Sequence, residues 1–328
     1  MLEEIPRFED KNEFSNLIPA WQRCGDLLAD LSKQSGILML DLDGVVLRSR
    51  SLFEPQFTTW DMKDALQTYE GVGGHIGLST ARQEGVRTFL RSFGLRLDGP
   101  LIFEGGHVVM VGEKKEVLAS DMYRTFVAKV RKELENEPFF RQSWSEVEKF
   151  QSGNPDTVVV CHGDRQWNGD YRATFWYDWR HEPTPGWADV VIGERISPRI
   201  HEIALSAGLS GDQFHIKLMR MKSGLGILRI AEQIDGVVVS KEMAAKHVLT
   251  GESLVFVADG EGDKDLELHI QNTRNGKVIA LRETDDVMTP EISSFTKSAD
   301  IQLANPSEFV QAVVYAIGSL SMGRVYEN

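Results

Sequence analysis

The sequence predicts an α/β fold in which a parallel sheet, with helices on its faces, is interrupted by an inserted α+β segment. Short apolar runs alternate with helix-like stretches near both ends of the chain, a pattern typical of a parallel sheet. The middle of the chain instead carries two runs rich in β-branched and aromatic residues, joined by a polar stretch with glycines. With 328 residues and 41% hydrophobic content, the chain can build one large or two modest domains.

The first third supplies three predicted strands and two predicted helices. The predicted strands are residues 37–40, 75–78 and 101–103. The first helix is predicted over residues 60–69. The second is predicted because four apolar residues would lie on one helical face: Val86, Phe89, Leu90 and Phe93. Gly94 is a natural stop for the second helix. Residues 1–35 are expected to form a helical extension of this part of the fold.

The pattern in the middle of the chain predicts an inserted cap that contains both helices and strands. Ser120 is expected to cap a helix, followed by strands at 157–161 and 171–179, a helix over 188–207 and a strand at 213–218. We therefore assign residues 112–210 to the cap and residues 1–111 and 211–328 to a Rossmann-like core.

The last third returns to the alternating pattern. A helix is predicted from Leu225, Ile227, Leu228, Ala231 and Ile234, and strands are predicted at 254–258, 278–281 and 301–303. Asn305 and Pro306 open a final helix.

The charge excludes several classes of partner. The formal net charge is -13, and an acidic protein repels nucleic acid and anionic membrane. A phosphate ligand would need local positive charge from a metal, a lysine or a helix N-terminus. The chain has neither an N-terminal apolar signal core nor an apolar stretch long enough to span a membrane, so we expect a cytoplasmic protein.

Three polar clusters directly follow predicted strands. Asp41 and Asp43 follow the first strand, Ser79 and Thr80 follow the second, and Asp259 with Asp263 follows a late one. Because the carboxyl ends of parallel strands meet at one edge of the sheet, these groups are expected to converge. Crowded carboxylates would repel one another, and Mg²⁺ relieves that repulsion because it prefers carboxylate and phosphate oxygens.

The same residues suggest a phosphoryl-transfer reaction. Asp41 can attack phosphorus, and Asp43, if the chain bends at Gly44, can protonate the leaving oxygen and then activate water. Thr80 and Lys222 can bind the non-bridging oxygens as negative charge develops.

Four segments in this order, LMLDLDGVV, LSTAR, MKSGLG and VADGEGDKD, resemble the motifs of the haloacid dehalogenase superfamily of phosphatases and mutases. The resemblance implies that Asp41 is nucleophile and metal ligand, that Asp43 is the acid/base and gives its carbonyl to the metal, and that Asp259 and Asp263 complete a Mg²⁺ site. It places the phosphate-binding threonine at Thr80 and the lysine at Lys222. Gly262 stands where the family usually has asparagine.

The position of the insertion resembles the sub-group with an α/β cap between the second and third motifs, which includes Cof-type and sucrose-phosphate phosphatases. The segment at Glu104 and Gly105 looks like that sub-group's ENGA segment, with glycine in place of asparagine. Candidate substrate-binding residues are Gly44, Ser79, Arg82, Glu104 and, in the cap, Arg172. Other polar cap residues are His162, Asp164, Asp178 and Arg180.

These observations predict a magnesium-dependent phosphatase acting on a small phosphorylated sugar or polyol through an aspartyl-phosphate. The partner is then a small phosphorylated metabolite, and an oligomer is possible. A phosphomutase uses the same motifs and is an alternative. An alternative of another class is a catalytically weak protein that binds a sugar phosphate.

Overall fold

The computed structural model describes residues 18–47, 57–134, 137, 139, 169–178, 184–220, 225–249, 253–259, 264–273, 275–281 and 298–326. Two sheets organise these residues. The larger has eight strands, and the smaller has four. The strands of the larger sheet are β1 (Ile37–Asp41), β2 (His75–Ser79), β3 (Leu101–Phe103), β4 (Val108–Val111), β5 (Lys114–Val117), β10 (Leu254–Ala258), β11 (Gly276–Leu281) and β12 (Ile301–Leu303). Their order across the sheet is β12-β11-β10-β1-β2-β3-β4-β5.

Strands β12 to β3 run parallel, while β4 and β5 extend the edge as antiparallel neighbours. The central strands β1 and β10 are buried along their whole length. Near-continuous apolar runs are typical of parallel strands covered on both faces. The predicted α/β class is confirmed.

Helices cover both faces of the larger sheet. One face packs against α1 (Ala20–Lys33), α2 (Met62–Gly71), α3 (Gly85–Ser92) and the last helix, α9 (Pro306–Tyr326), around a core that contains Leu38 and Leu40. The other face, with Met39 and Phe256, packs against α7 (Lys241–Val248) and α8 (Lys264–Gln271). Alternate residues of each strand therefore serve opposite cores, as the period of two in a strand requires.

The smaller sheet belongs to a separate layer with its own core. Its strands β6 (Ala173–Asp178), β8 (Leu225–Ile234) and β7 (Phe214–Arg220) pair antiparallel in that order, and β9 (Val237–Val238) pairs with β8. The helices of this layer are α4 (Asp121–Leu134), α5 (Trp187–Val191) and α6 (Ser197–Ser206), the last two joined by a π-helical turn, Ile192–Ile196. We call this second layer the cap.

Several elements match the sequence expectations and one does not. The helix predicted from Leu225 to Ile234 is wrong, because this segment is strand β8. Leu228 and Ile230 are buried in the cap core and Arg229 between them is not, which is the alternation of a strand. The apolar residues also fit helical spacing, and pairing with β6 and β7 decides between the two forms. The strand predicted at 157–161 lies outside the described residues.

The layers divide the chain at places other than the predicted boundaries. Strand β5 of the larger sheet lies within the segment assigned to the cap, and the cap sheet continues through β9, well past residue 210. Within the part of the chain that the structure describes, no helix is long and apolar enough to cross a membrane.

Candidate active site

Asp41 lies at the carboxyl end of β1, in the middle of the larger sheet, and is almost fully buried. Its Oδ1 atom accepts a hydrogen bond from the backbone N–H of Leu42 at 2.9 Å. The same oxygen accepts a hydrogen bond from Nζ of Lys241, also at 2.9 Å. A buried carboxylate held by an ammonium group and a backbone donor is a fixed, charged group at the sheet edge where ligands bind in such folds.

Asp43 follows two residues later and forms an ion pair with Arg82. Nε of Arg82 donates to Oδ1 of Asp43 at 2.8 Å and to Oδ2 at 3.1 Å, and Nη2 also donates to Oδ1. Arg82 is buried, whereas the side chain of Asp43 remains 28% exposed. The contact joins the loops that follow β1 and β2.

Gly44 brings Asp259 to the same loop. Its φ of +82° is a conformation that L side chains rarely adopt, and a Cβ atom there would lie only 1.6 Å from Oδ2 of Asp259. The carboxylate of Asp259, which follows β10, therefore rests against the backbone just after Asp43. Residues widely separated in sequence thus meet because β1 and β10 are adjacent parallel strands.

Ser79 and Thr80 occupy the corresponding position after β2, whose Ser79 is in register with Asp41. Both residues are fully buried. The Thr80 hydroxyl accepts a hydrogen bond from the backbone N–H of Arg82 at 3.1 Å, which leaves its proton available to donate. The Ser79 hydroxyl is buried and has no hydrogen-bond partner among the described residues.

Glu104 begins a turn that connects the core to the cap. Its buried carboxylate accepts a hydrogen bond from the backbone N–H of Tyr171 at 2.8 Å and another from the backbone of Asp170. Burial raises the pKa of this carboxyl group, while the two backbone donors act in the opposite direction. Glu104 therefore binds the residues just before β6 and links the two layers.

The same turn supports Lys241. Gly106, with φ of +111°, packs so closely on the chain before α7 that a Cβ atom would lie 2.1 Å from the carbonyl oxygen of Ser240. The Ser240 hydroxyl accepts a hydrogen bond from the backbone N–H of Met243 and caps the helix that Lys241 opens.

Arg172 reaches the core from the cap. Its Nη1 atom donates to the carbonyl oxygen of Ala81 at 3.0 Å, between Thr80 and Arg82. Burial, followed by the positive charge of Arg229, lowers the pKa of Arg172 well below its usual range. Arg172, the cap residue predicted to bind substrate, therefore lies close to the residues that follow β2.

The lysine beside Asp41 is Lys241, which the sequence reasoning missed. Lys222, the predicted lysine, lies outside the described residues, and the flanking strands β7 and β8 both belong to the cap sheet. Lys241 instead is the first residue of helix α7 in the core. This helix is followed in sequence by strand β10, and Asp259 comes directly after β10. Ser240 as helix cap, followed by lysine, is the local signal that could have identified it.

The oxygen donors that gather here suit a hard cation. The carboxylates of Asp41 and Asp259 and the main-chain carbonyl of Asp43 are ligands of the kind that Mg²⁺ prefers. The close approach of Asp259 to Gly44 places its carboxylate beside the Asp41–Asp43 loop. Within the described ranges, no three acidic, histidine or cysteine side chains group closely enough to hold a metal by themselves. Asp263 lies outside those ranges.

Several solved structures have folds similar to that of this chain. TM0651 from Thermotoga maritima aligns with a TM-score of 0.50 and 13% identity, covering 87% of this chain and 97% of that one. Trehalose-6-phosphate phosphatase from Aspergillus fumigatus aligns with a TM-score of 0.49 and 13% identity, over 90% and 97%. The C-terminal domain of the C. albicans trehalose-6-phosphate phosphatase has a TM-score of 0.49 and 12% identity, over 90% and 96%.

No protein-family model matches the sequence, and no curated protein matches it significantly. The solved structures therefore establish the fold alone. The eight-stranded sheet, with Asp41 at the end of its central strand, and the separate cap layer agree with the predicted α/β class. The chain has an overall fold similar to that of TM0651 from Thermotoga maritima.

Proposed function

We propose that this protein is a magnesium-dependent phosphatase that hydrolyses a small phosphorylated sugar or polyol through an aspartyl-phosphate on Asp41. One observation carries the proposal: Asp41 is buried at the centre of the sheet edge, with the ammonium group of Lys241 on its carboxylate. The contact with Lys241 holds the carboxylate in a fixed position, from which one of its oxygens can attack phosphorus. The same ammonium group can then neutralise phosphoryl oxygens.

Asp43 completes the proposed reaction, first as the acid and then as the base. In the first step, an oxygen of Asp41 bonds to phosphorus, the bond to the leaving alkoxide breaks, and Asp43 supplies the proton that the alkoxide takes. In the second step, Asp43 accepts a proton from a water molecule whose oxygen bonds to phosphorus. The bond between phosphorus and Asp41 breaks, inorganic phosphate leaves, and Asp41 is regenerated. The hydrogen bonds from Arg82 hold the Asp43 carboxyl group in place for both steps.

Thr80 and Lys241 bind the non-bridging oxygens in this scheme, with Lys241 in the role first assigned to Lys222. Asp41, the carbonyl of Asp43 and Asp259 would hold Mg²⁺, and we keep Asp263 as a further candidate ligand. The cation, when bound, supplies positive charge that offsets the phosphate and the acidic side chains. We keep Gly44, Ser79, Arg82 and Glu104 as proposed substrate contacts. We also expect the protein in the cytoplasm.

Phosphate release from a panel of phosphorylated sugars, polyols and an aryl phosphate, with and without Mg²⁺, tests the proposal. We expect turnover that chelator abolishes, and no turnover by Asp41→Asn because an amide is a poor nucleophile. Asp30→Asn, an exposed aspartate on α1, is the matched control and should behave as the wild type. Acid-quenched protein should retain labelled phosphate in the wild type and in Asp30→Asn, but not in Asp41→Asn.

Metal binding can be measured separately from turnover. Mg²⁺ should raise the melting temperature of the wild-type protein, since a ligand that binds only the folded state stabilises it. The rise should be reduced in Asp259→Asn. Full turnover by Asp41→Asn would eliminate the covalent scheme, and turnover of none of the substrates would eliminate the proposed function.

A further inference from the structure

The face of the cap sheet that looks away from the cap core carries cationic and hydroxyl groups. Ala173 and Phe175 of β6, with Leu228 and Ile230 of β8, are buried in the cap core. Strand alternation therefore places their neighbours on the opposite face. These neighbours are Arg172, Thr174 and Arg229.

This face is directed toward the candidate active site. Arg172, directly before β6, donates to the carbonyl oxygen of Ala81. Thr174 is two residues farther along the strand and lies directly opposite Arg229 in the antiparallel pairing. Residues paired across two strands have Cβ atoms roughly 5 Å apart, so the threonine hydroxyl and the two guanidinium groups lie on one continuous patch.

The positive charges of Arg172 and Arg229 repel each other at this partly buried site. The charge of Arg229 disfavours the charged form of Arg172, in addition to the cost of burial. The carboxylates of Asp43 and Glu104 also face Arg172. Both already have donors of their own: Arg82 for Asp43, and the backbone N–H of Tyr171 for Glu104.

The patch also has unsatisfied hydrogen-bonding groups. Nε of Arg172 and the hydroxyl of Thr174 are buried and have no hydrogen-bond partner among the described residues. Leaving such groups unpaired costs free energy, and a ligand with anionic oxygens would satisfy both. The phosphoryl group is served separately by Lys241 and Thr80 in the core, so these cap donors are available to another part of the substrate.

We propose that the substrate carries a second anionic group, a carboxylate or a second phosphate, which Arg172, Thr174 and Arg229 bind while the core holds the reacting phosphate. This inference rests on the proposed phosphatase function and narrows its substrate class. An arginine pair is suited to the task because guanidinium groups bind carboxylate and phosphate oxygens in a bidentate manner. The cap then selects phosphorylated sugar acids or bisphosphates over neutral sugar phosphates.

The test compares substrates that differ only in the second charge. Sorbitol 6-phosphate and 6-phosphogluconate are open-chain molecules of the same length, one with a neutral end and one with a carboxylate. Sorbitol 1,6-bisphosphate adds a phosphate instead. We expect the wild-type kcat/KM to be higher for the anionic members by about tenfold to a hundredfold, the usual effect of a hydrogen-bonded charge.

Arg229→Gln should reduce that ratio by a similar factor, and Arg172→Gln should do so as well. Arg199→Gln is the matched control, since this cap arginine pairs with Glu133 at the exposed end of α6 and should leave the ratio unchanged. Melting temperatures identify a variant that is unfolded. The relative rates of the carboxylate and bisphosphate substrates identify which anion the patch prefers.

Binding gives a readout that does not need turnover. In the Asp41→Asn background, 6-phosphogluconate should bind more tightly than sorbitol 6-phosphate, and Arg229→Gln should remove the difference. Equal kcat/KM for charged and neutral substrates, with both lowered equally by Arg229→Gln, would overturn the second-anion inference and leave the phosphatase intact. If no substrate is turned over but 6-phosphogluconate still binds more tightly than sorbitol 6-phosphate, the phosphatase function is rejected and the second anion site is retained.

Discussion

At the scale of single residues, the central feature is the contact between Lys241 and the carboxylate of Asp41. Each group is costly to bury alone, and each compensates the other. Lys241 reaches this position because it opens helix α7, with Ser240 as the cap and Gly106 packed against the preceding carbonyl. The lysine is therefore held by backbone contacts, which suits a group that must meet phosphoryl oxygens in a constant place.

Replacement of the lysine tests this assignment. Lys241→Met should lower kcat by about a hundredfold or more, because it removes a charged donor to the phosphoryl oxygens. The measurement is phosphate release at saturating substrate. Lys246→Met is the matched control, since Lys246 lies on the same helix but is exposed and pairs with Glu242. Lys222→Met should have a much smaller effect, and the opposite ranking of Lys222 and Lys241 would return the role to Lys222.

At the scale of elements, the turn after β3 connects three parts of the molecule. Glu104, Gly105 and Gly106 have positive φ values of 51°, 68° and 111° in succession. A non-glycine residue in this region carries a conformational cost, which Glu104 offsets through its bonds to the cap. The turn thus holds the start of β6 on one side and the start of α7 on the other.

The two glycines of this turn provide a matched pair for a stability experiment. Gly105→Ala introduces only backbone strain, because a Cβ atom there meets nothing within 4 Å. We expect a cost of about 1 kcal/mol. Gly106→Ala adds a collision with the Ser240 carbonyl, so it should cost roughly 3 kcal/mol or more and also reduce activity by displacing Lys241.

Urea denaturation and phosphate release measure these two effects. Gly105→Asn should be tolerated better than Gly105→Ala, since asparagine accepts the left-handed conformation more readily. Equal costs for the two alanine variants would show that the contact with Ser240 does not constrain the helix.

At the scale of the whole molecule, His107 lies where the two layers meet. Its ring stacks on Tyr123 of the cap helix α4, with centroids 5.6 Å apart and planes within 3°. Its Nδ1 atom is 2.7 Å from the carbonyl oxygen of Glu104. Burial, reinforced by the charges of Arg172 and Arg229, lowers the pKa of His107 to about 4, although the Glu104 carbonyl acts in the opposite direction.

This lowered pKa predicts acid sensitivity. The unfolded chain binds a proton at His107 near pH 6.5, whereas the folded protein does so only near pH 4. Stability from this group is therefore complete above about pH 6.5 and is lost as the pH falls toward 4, by roughly 3 kcal/mol in total. Urea denaturation across this pH range measures the loss.

His107→Gln keeps a donor for the Glu104 carbonyl but removes the titration, so its stability should change less over the same range. His215→Gln, at an exposed position in the cap sheet, is the control and should follow the wild type. A His107→Gln profile parallel to the wild type would show that other groups cause the acid sensitivity.

Local sequence was sufficient to locate much of the candidate site. Asp41, Asp43, Thr80 and Asp259 were identified because each follows a short apolar run, and the carboxyl ends of parallel strands meet at one edge whatever the distance in sequence. The strands themselves were recognisable because burial on both faces requires continuous apolar residues.

Tertiary structure brings Lys241 to Asp41 and decides where the cap sheet ends. The segment around Lys222 and Leu225 has a motif-like lysine and apolar residues at helical spacing, so local pattern favoured a core helix there. Pairing of β8 with both β6 and β7 makes residues 225–234 the middle strand of the cap sheet. The chain returns to the core only at α7, which brings in Lys241. Strand pairing joins residues far apart in the chain, and local spacing carries no record of that pairing.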